Sequence, residues 1–127
     1  MEKKIIKTHK APKTIGPYSQ AVKSGNFIFA SGQIPLDPVS GDMEENDIKK
    51  QTERVMENIK GLLESENLTM SNIIKTTCFL TDMSNFAAFN EVYASYFQEN
   101  PPARSTVAVK SLPKDALVEV EITAVIN

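Results

Sequence analysis

The chain has 127 residues, 41% of them apolar and 24% charged, as expected for one soluble domain spanning residues 1–127 with a core that needs no staple. A net charge of −2 gives no general electrostatic case for nucleic acid or a membrane surface, and a lone cysteine, Cys78, excludes an internal disulfide framework. The leader "MEKKIIKTHK" lacks an apolar signal core and no apolar run reaches membrane-spanning length, so the expected location is the cytoplasm.

In chain order, "KIIKT" is a candidate first strand. "SQAVKSGNFIFASG" reads as two strands around a Ser24-Gly25-Asn26 turn. "PLDPVSGDMEEND" is loop, punctuated by Pro35, Pro38 and Gly41. From Ile48 the period becomes helical: Thr52, Val55, Met56, Ile59, Leu62 and Leu63 share a face, with Asn46 or Asp47 as N-cap and Asn67 as terminator. The branched run "IIKTTCFLTD" predicts a strand. A second helix follows Ser84, with Phe86, Phe89, Tyr93, Tyr96 and Phe97 along one side, and Pro101-Pro102 are expected to stop it. "RSTVAVK" and "LVEVEITAVI" close the chain as strands around an "LPKDA" turn.

Strands joined by helical crossovers and flanked by hairpins predict an α+β fold, a mixed sheet with both helices on one face. Along these strands Phe27 and Phe29 oppose Ile28 and Ala30, and Val118, Val120 and Ile122 alternate with Glu119, Glu121 and Thr123. Several strands thus carry apolar groups on both faces, while two helices cover one. The other face needs a partner, most economically a second copy, so a homo-oligomer is expected.

Few residues invite chemistry. His9 and Cys78 are the only histidine and cysteine, short of any zinc-ligand spacing, and the scattered glycines form no phosphate loop. His9 reads as solvated, and Cys78, sharing a face with Thr76 and Leu80, as a buried inert thiol. Tyr18 follows the rigid Gly16-Pro17 bend and is either a packing ring or a ligand contact. Ser31 and Gly32 mark a simple strand end or a close approach of backbone to ligand. Asn90, on the aromatic side of the second helix, needs hydrogen-bond partners of its own or from a ligand. Glu119 and Glu121 share one strand face, as a solvated edge or as a site for which Arg104 on the preceding strand supplies the counter-charge. Arg104 itself is either a snorkelling surface residue or a fork for a small carboxylate.

The stretches "IGPYSQA", "ASGQIPLDPVSG", "FNEVYASYF" and "PARSTVAVKSLPKDALVEVEI" resemble, in the same order and over nearly the whole chain, the reactive intermediate deaminase (Rid, YjgF-type) family. That resemblance implies a chorismate-mutase-like fold, a homotrimer with sites in the subunit clefts, and cofactor-free hydrolysis of 2-imino acids to 2-oxo acids and ammonia. It implies Arg104 as the carboxylate clamp and Glu119 as the group beside the attacking water. Tyr18, Ser31, Gly32, Asn90 and Thr106 then contact the substrate, and no metal takes part.

Position 106 is threonine where many active members carry cysteine, which keeps a backbone amide contact and removes any thiol role. "QENPPAR" is short beside some members, and Val120 replaces a usual isoleucine or methionine as packing only. The resemblance also brings two rivals: a metabolite-sensing regulator that uses the same cleft without turnover, and an endoribonuclease or translation inhibitor. The charge of −2 and the absence of a basic aromatic stripe count against RNA.

Overall fold

The computed structural model describes residues 2–127. Strands β1 (Lys3–Ile6), β2 (Ala21–Ser24) and β3 (Phe27–Gln33) lead into helix α1 (Ile48–Glu64). Strand β4 (Ile73–Leu80), helix α2 (Phe86–Ala94) and strands β5 (Ala103–Ala108) and β6 (Val118–Val125) complete the chain. The six strands form one mixed sheet in the order β1-β2-β3-β6-β4-β5. Only β4 and β5, joined through α2, run parallel. This is an α+β architecture, and "KIIKT" does begin it as a strand pairing with β2.

Two expectations about the C-terminal half are corrected. β5 and β6 are not a hairpin: β4 lies between them, and β6 inserts between β3 and β4. Helix α2 ends at Ala94, well before Pro101, where the Ser95 hydroxyl donates to the Val92 carbonyl at 2.6 Å. Local capping therefore ends the helix, and the prolines only stiffen the approach to β5.

Helix α1 starts where Asp47 accepts from the Lys50 amide at 2.9 Å. Its Val55, Met56, Ile59, Leu62 and Leu63 are buried against the sheet residues Ile28, Val118, Val120 and Ile122. Asn67 takes φ 60 just past its end, so Leu68 N–H reaches back to the Leu63 carbonyl at 3.0 Å. Buried polar side chains tie loops to this frame. Asn58 Nδ2 donates to the Leu36 carbonyl at 2.9 Å, and Gln51 Oε1 accepts from the Leu117 amide at 2.8 Å. Each gives a buried backbone group the partner it would otherwise lack.

The far face of the sheet is bare, as the alternation predicts. Ile5, Phe29 and Thr123 lie in one cross-strand row through Val22, and Phe27 pairs with Val125. Ile5, Phe27 and Phe29 are 42–50% exposed, an apolar patch that none of the described residues covers. No helix among the described residues is long and apolar enough to cross a membrane.

Gly61 is where α1 meets the leader: a Cβ there would overlap the Lys10 carbonyl oxygen and lie 3.0 Å from its carbon. Gly→Ala inside a helix ordinarily stabilises by about 1 kcal/mol. Here backbone blocks the methyl group, so Gly61→Ala should destabilise by about 1–2 kcal/mol. A urea midpoint that falls supports this contact; one that rises contradicts it.

Candidate functional site

The sequence-predicted residues collect into two groups on opposite sides of the sheet. In the first, Arg104 and Thr106 pair with Thr76 and Cys78 across β4–β5. Side chains of paired residues share a face, so both project toward the helices. Arg104 Nη1 donates to Asn90 Oδ1 on α2 at 2.7 Å. Its guanidinium carbon lies 4.8 Å from the ring centroid of Tyr93 and 5.5 Å from that of Phe86. The Tyr93 hydroxyl in turn shares a 2.8 Å hydrogen bond with Thr76 Oγ1. Asn90 thus has the partner its position demanded, and Arg104 is held by an amide and two rings rather than snorkelling.

Burial pushes the Cys78 thiol pKa up, and the residue is fully shielded, in keeping with an inert core cysteine. Thr106 Oγ1 is shielded from solvent without a hydrogen-bond partner, though the Cys78 thiol lies within electrostatic reach. His9 is exposed, as its charged surroundings predict.

The second group sits around the β3 bulge. Glu119 pairs with Phe79 and Glu121 with Thr77, placing both carboxylates on the bare face. Glu119 is half-buried, and its pKa is raised, first by desolvation and then by the Glu121 charge. Gly32 lies against it: a Cβ at Gly32 would overlap Glu119 Oε2 and stand 2.8 Å from Cδ. The glycine is therefore required by close approach, and the register shift between Ala30 and Gln33 aims it there.

Ser31 is mainly an anchor. Its hydroxyl donates to the Ser19 carbonyl at 2.7 Å and its amide to the Gln20 carbonyl at 2.9 Å. Gln20, also buried, accepts from Thr8 N–H at 2.7 Å and donates to the Pro12 carbonyl at 2.8 Å. Together they set the loop that carries Tyr18, whose amide closes a tight turn on the Gly16 carbonyl at 3.0 Å, with Gly16 at φ 138. Tyr18 is 52% exposed and lines, with Gly32, Ile15, Ile34 and Lys114, a cavity of about 170 Å³.

One sequence expectation fails here. Arg104 cannot be the counter-charge of Glu119 or Glu121 within one chain. β4 separates the two strands, and the pairing Arg104–Thr76–Ile122 puts the guanidinium on the helix side while both carboxylates face away. The sequence places Phe86 and Tyr93 on the same side of α2 as Asn90 without naming their contact with Arg104. Their spacing with Asn90, at i, i+4 and i+7 on α2, puts all three on one stripe, but the strand that brings Arg104 over it is set by the sheet order.

The polar residues thus form a two-part arrangement, Arg104 with Asn90 on the helix side and Glu119 against Gly32 on the other. The family model described as Endoribonuclease L-PSP matches residues 8–126, and the chain belongs to this family, the YjgF/Rid family. A RutC family protein of Pyrococcus abyssi is 54% identical over 124 residues, which cover 98% of each chain. The crystal structure of YyfA of Yersinia pestis, a member of the Rid protein family, aligns with TM-score 0.96 and 48% identity over 98% of this chain and 100% of that one. That of TdcF of E. coli with bound serine aligns with TM-score 0.93 and 43% identity over 98% of this chain and 99% of that one.

The raised pKa of Glu119 carries a sign. Its ionised form is disfavoured in the fold, so its contribution to stability is complete below about pH 4 and is lost as pH rises through the folded pKa. Glu119→Gln lacks that loss. The variant should gain stability relative to the wild type between about pH 4 and pH 7, read from urea midpoints. Parallel curves for the two proteins would contradict the burial of this carboxylate.

Proposed function

We propose that the protein is a cofactor-independent 2-imino acid deaminase, acting on substrates such as 2-iminobutanoate and 2-iminopropanoate, and that its site is completed between copies of the chain in a homotrimer. The observation that carries this reading is the split of the site. Arg104 and Glu119 face opposite sides of one sheet, and the carboxylate side is an uncovered apolar surface. A second copy that approached this face with its edge strand β5 would cover the patch and bring its Arg104 to the first copy's Glu119. Membership in the Rid family and a relative with bound serine, a small amino acid with a carboxylate, support the substrate class.

The chemistry asks little of the protein. Arg104, steadied by Asn90, grips the substrate carboxylate through its free donors and orients the imine carbon. Glu119, its pKa raised by desolvation, accepts a proton from a water molecule as the oxygen bonds to that carbon. The imine nitrogen takes up that proton to give a carbinolamine; the carboxylate then carries the hydroxyl proton to the nitrogen as the C–N bond breaks, so that ammonia leaves a 2-oxo acid. Tyr18, Ser31, Gly32 and the backbone at Thr106 shape the walls of the cleft. Imines hydrolyse unaided, so orientation and one proton transfer are sufficient help. The RNA-cleaving role in the family's description finds less support: the chain's only histidine is exposed on the leader, and its net charge is −2.

Light scattering at micromolar concentration should give the mass of a trimer; a monomer would sink the shared site. With 2-iminobutanoate generated by a dehydratase, Arg104→Lys should lose about ten- to a hundredfold in kcat/KM, because lysine keeps charge but not the planar two-point grip. Glu119→Gln should lower kcat by about 10²–10⁴-fold. It should leave 2-oxobutanoate affinity nearly unchanged, and Glu121→Gln should be mild on both. Wild-type rates in Arg104→Lys, or equal losses of binding and turnover in Glu119→Gln, would each overturn the role assigned.

A further inference from the structure

We propose that Tyr93 is a positioning residue for Arg104, the platform that fixes the direction of the carboxylate clamp; this rests on the deaminase reading above. The guanidinium lies 4.8 Å from the Tyr93 ring centroid and 5.5 Å from that of Phe86, so the rings limit its tilt. Within its own plane, the 2.7 Å bond from Nη1 to Asn90 Oδ1 limits its rotation. An arginine has five N–H donors, and this arrangement engages one, leaving the others for a planar carboxylate.

A platform must itself be fixed, and Tyr93 is. It is 5% exposed and packs against Phe89 and Phe97 at centroid distances of 5.4 and 4.9 Å. Its hydroxyl bonds to Thr76 Oγ1 at 2.8 Å, and Thr76 is the residue paired with Arg104 across β4–β5. The contacts form a closed circuit: from the Arg104 backbone to Thr76 by strand pairing, from Thr76 to Tyr93 by the hydroxyl pair, and from the Tyr93 ring back to the Arg104 guanidinium. A shift of α2 against the sheet would break the circuit at its hydroxyl bond. Phenylalanine at 93 would keep the ring but release the lock; leucine would remove the platform while still filling much of the core space.

The test uses the assembled protein and two readouts. Arg54 and Arg104 are the chain's only arginines, so the Arg104 side-chain NMR signal is assignable by its loss in Arg104→Lys. In ligand-free protein that signal should carry the ring-current displacement of a stacked guanidinium and lose most of it in Tyr93→Leu, with partial loss in Phe86→Leu. Calorimetry with 2-oxobutanoate and the coupled imine assay give the second readout. Tyr93→Leu should raise Kd and KM by about three- to tenfold with kcat within about twofold, and Tyr93→Phe should restore most of the affinity. An unmoved Arg104 signal, or unchanged Kd in Tyr93→Leu, would overturn the proposal. If Tyr93→Leu does not fold, an Arg104 signal in the ligand-free wild type that carries no ring-current displacement would overturn it equally. A wild type that binds no 2-oxo acid would sink the deaminase reading, and the Arg104 signal alone would then decide whether the platform exists.

Discussion

The register of β4 against β5 and β6 is the constraint on which the rest depends. Thr76 pairs with Arg104 on one side and Ile122 on the other, while Phe79 pairs with Glu119. Because side chains alternate along a strand, this pairing sends the guanidinium to the helix side and the carboxylate to the bare side. A slip of one residue would reverse both. The buried threonine, cysteine and leucine of β4 hold that register by packing under the helices. The same packing that makes the core therefore separates the two charged groups of the site.

Arg104 and Glu119 are each held by contacts within their own chain. An exposed stacked cation contributes about 0.5–1 kcal/mol and a hydrogen bond from a charged donor about 1.5–3. Together these match or exceed the roughly 2 kcal/mol of rotamer entropy that a mobile arginine retains. Arg104 is thus largely preorganised. Glu119 shows the opposite balance: Gly32 gives it room, and desolvation raises its pKa. A carboxylate kept weakly basic beside an apolar face suits proton transfer better than structural pairing.

Much of this was legible in the sequence, because hydrophobic period reports burial directly. The apolar faces of both helices, the Ser24-Gly25-Asn26 hairpin and the two-faced strands follow from spacing alone. The placement of β6 between β3 and β4 does not. Strands adjacent in sequence are neighbours only about two-thirds of the time, and β5 and β6 belong to the remainder. That one difference turned an apparent Arg104–Glu119 pair into two half-sites. Gln20, Gln51 and Asn58 escaped notice for another reason: they are buried through backbone hydrogen bonds, to which hydrophobic patterning is blind. Tyr93 was visible as a core residue, but its contact with Arg104 depends on a strand partner that spacing does not name.

The central claim, that one chain's clamp works with another chain's carboxylate, is tested most directly by mixing two impaired variants. Arg104→Lys and Glu119→Gln would be unfolded together, refolded at equal ratio, and assayed for ammonia release from 2-iminobutanoate. In randomly mixed trimers three-quarters of the molecules contain both variants, and each of these has one of its three sites made from two unaltered halves. Activity should then recover to about a quarter of the wild-type value. A mixture whose subunits have exchanged, yet which is no more active than its two components, would contradict a site shared between chains.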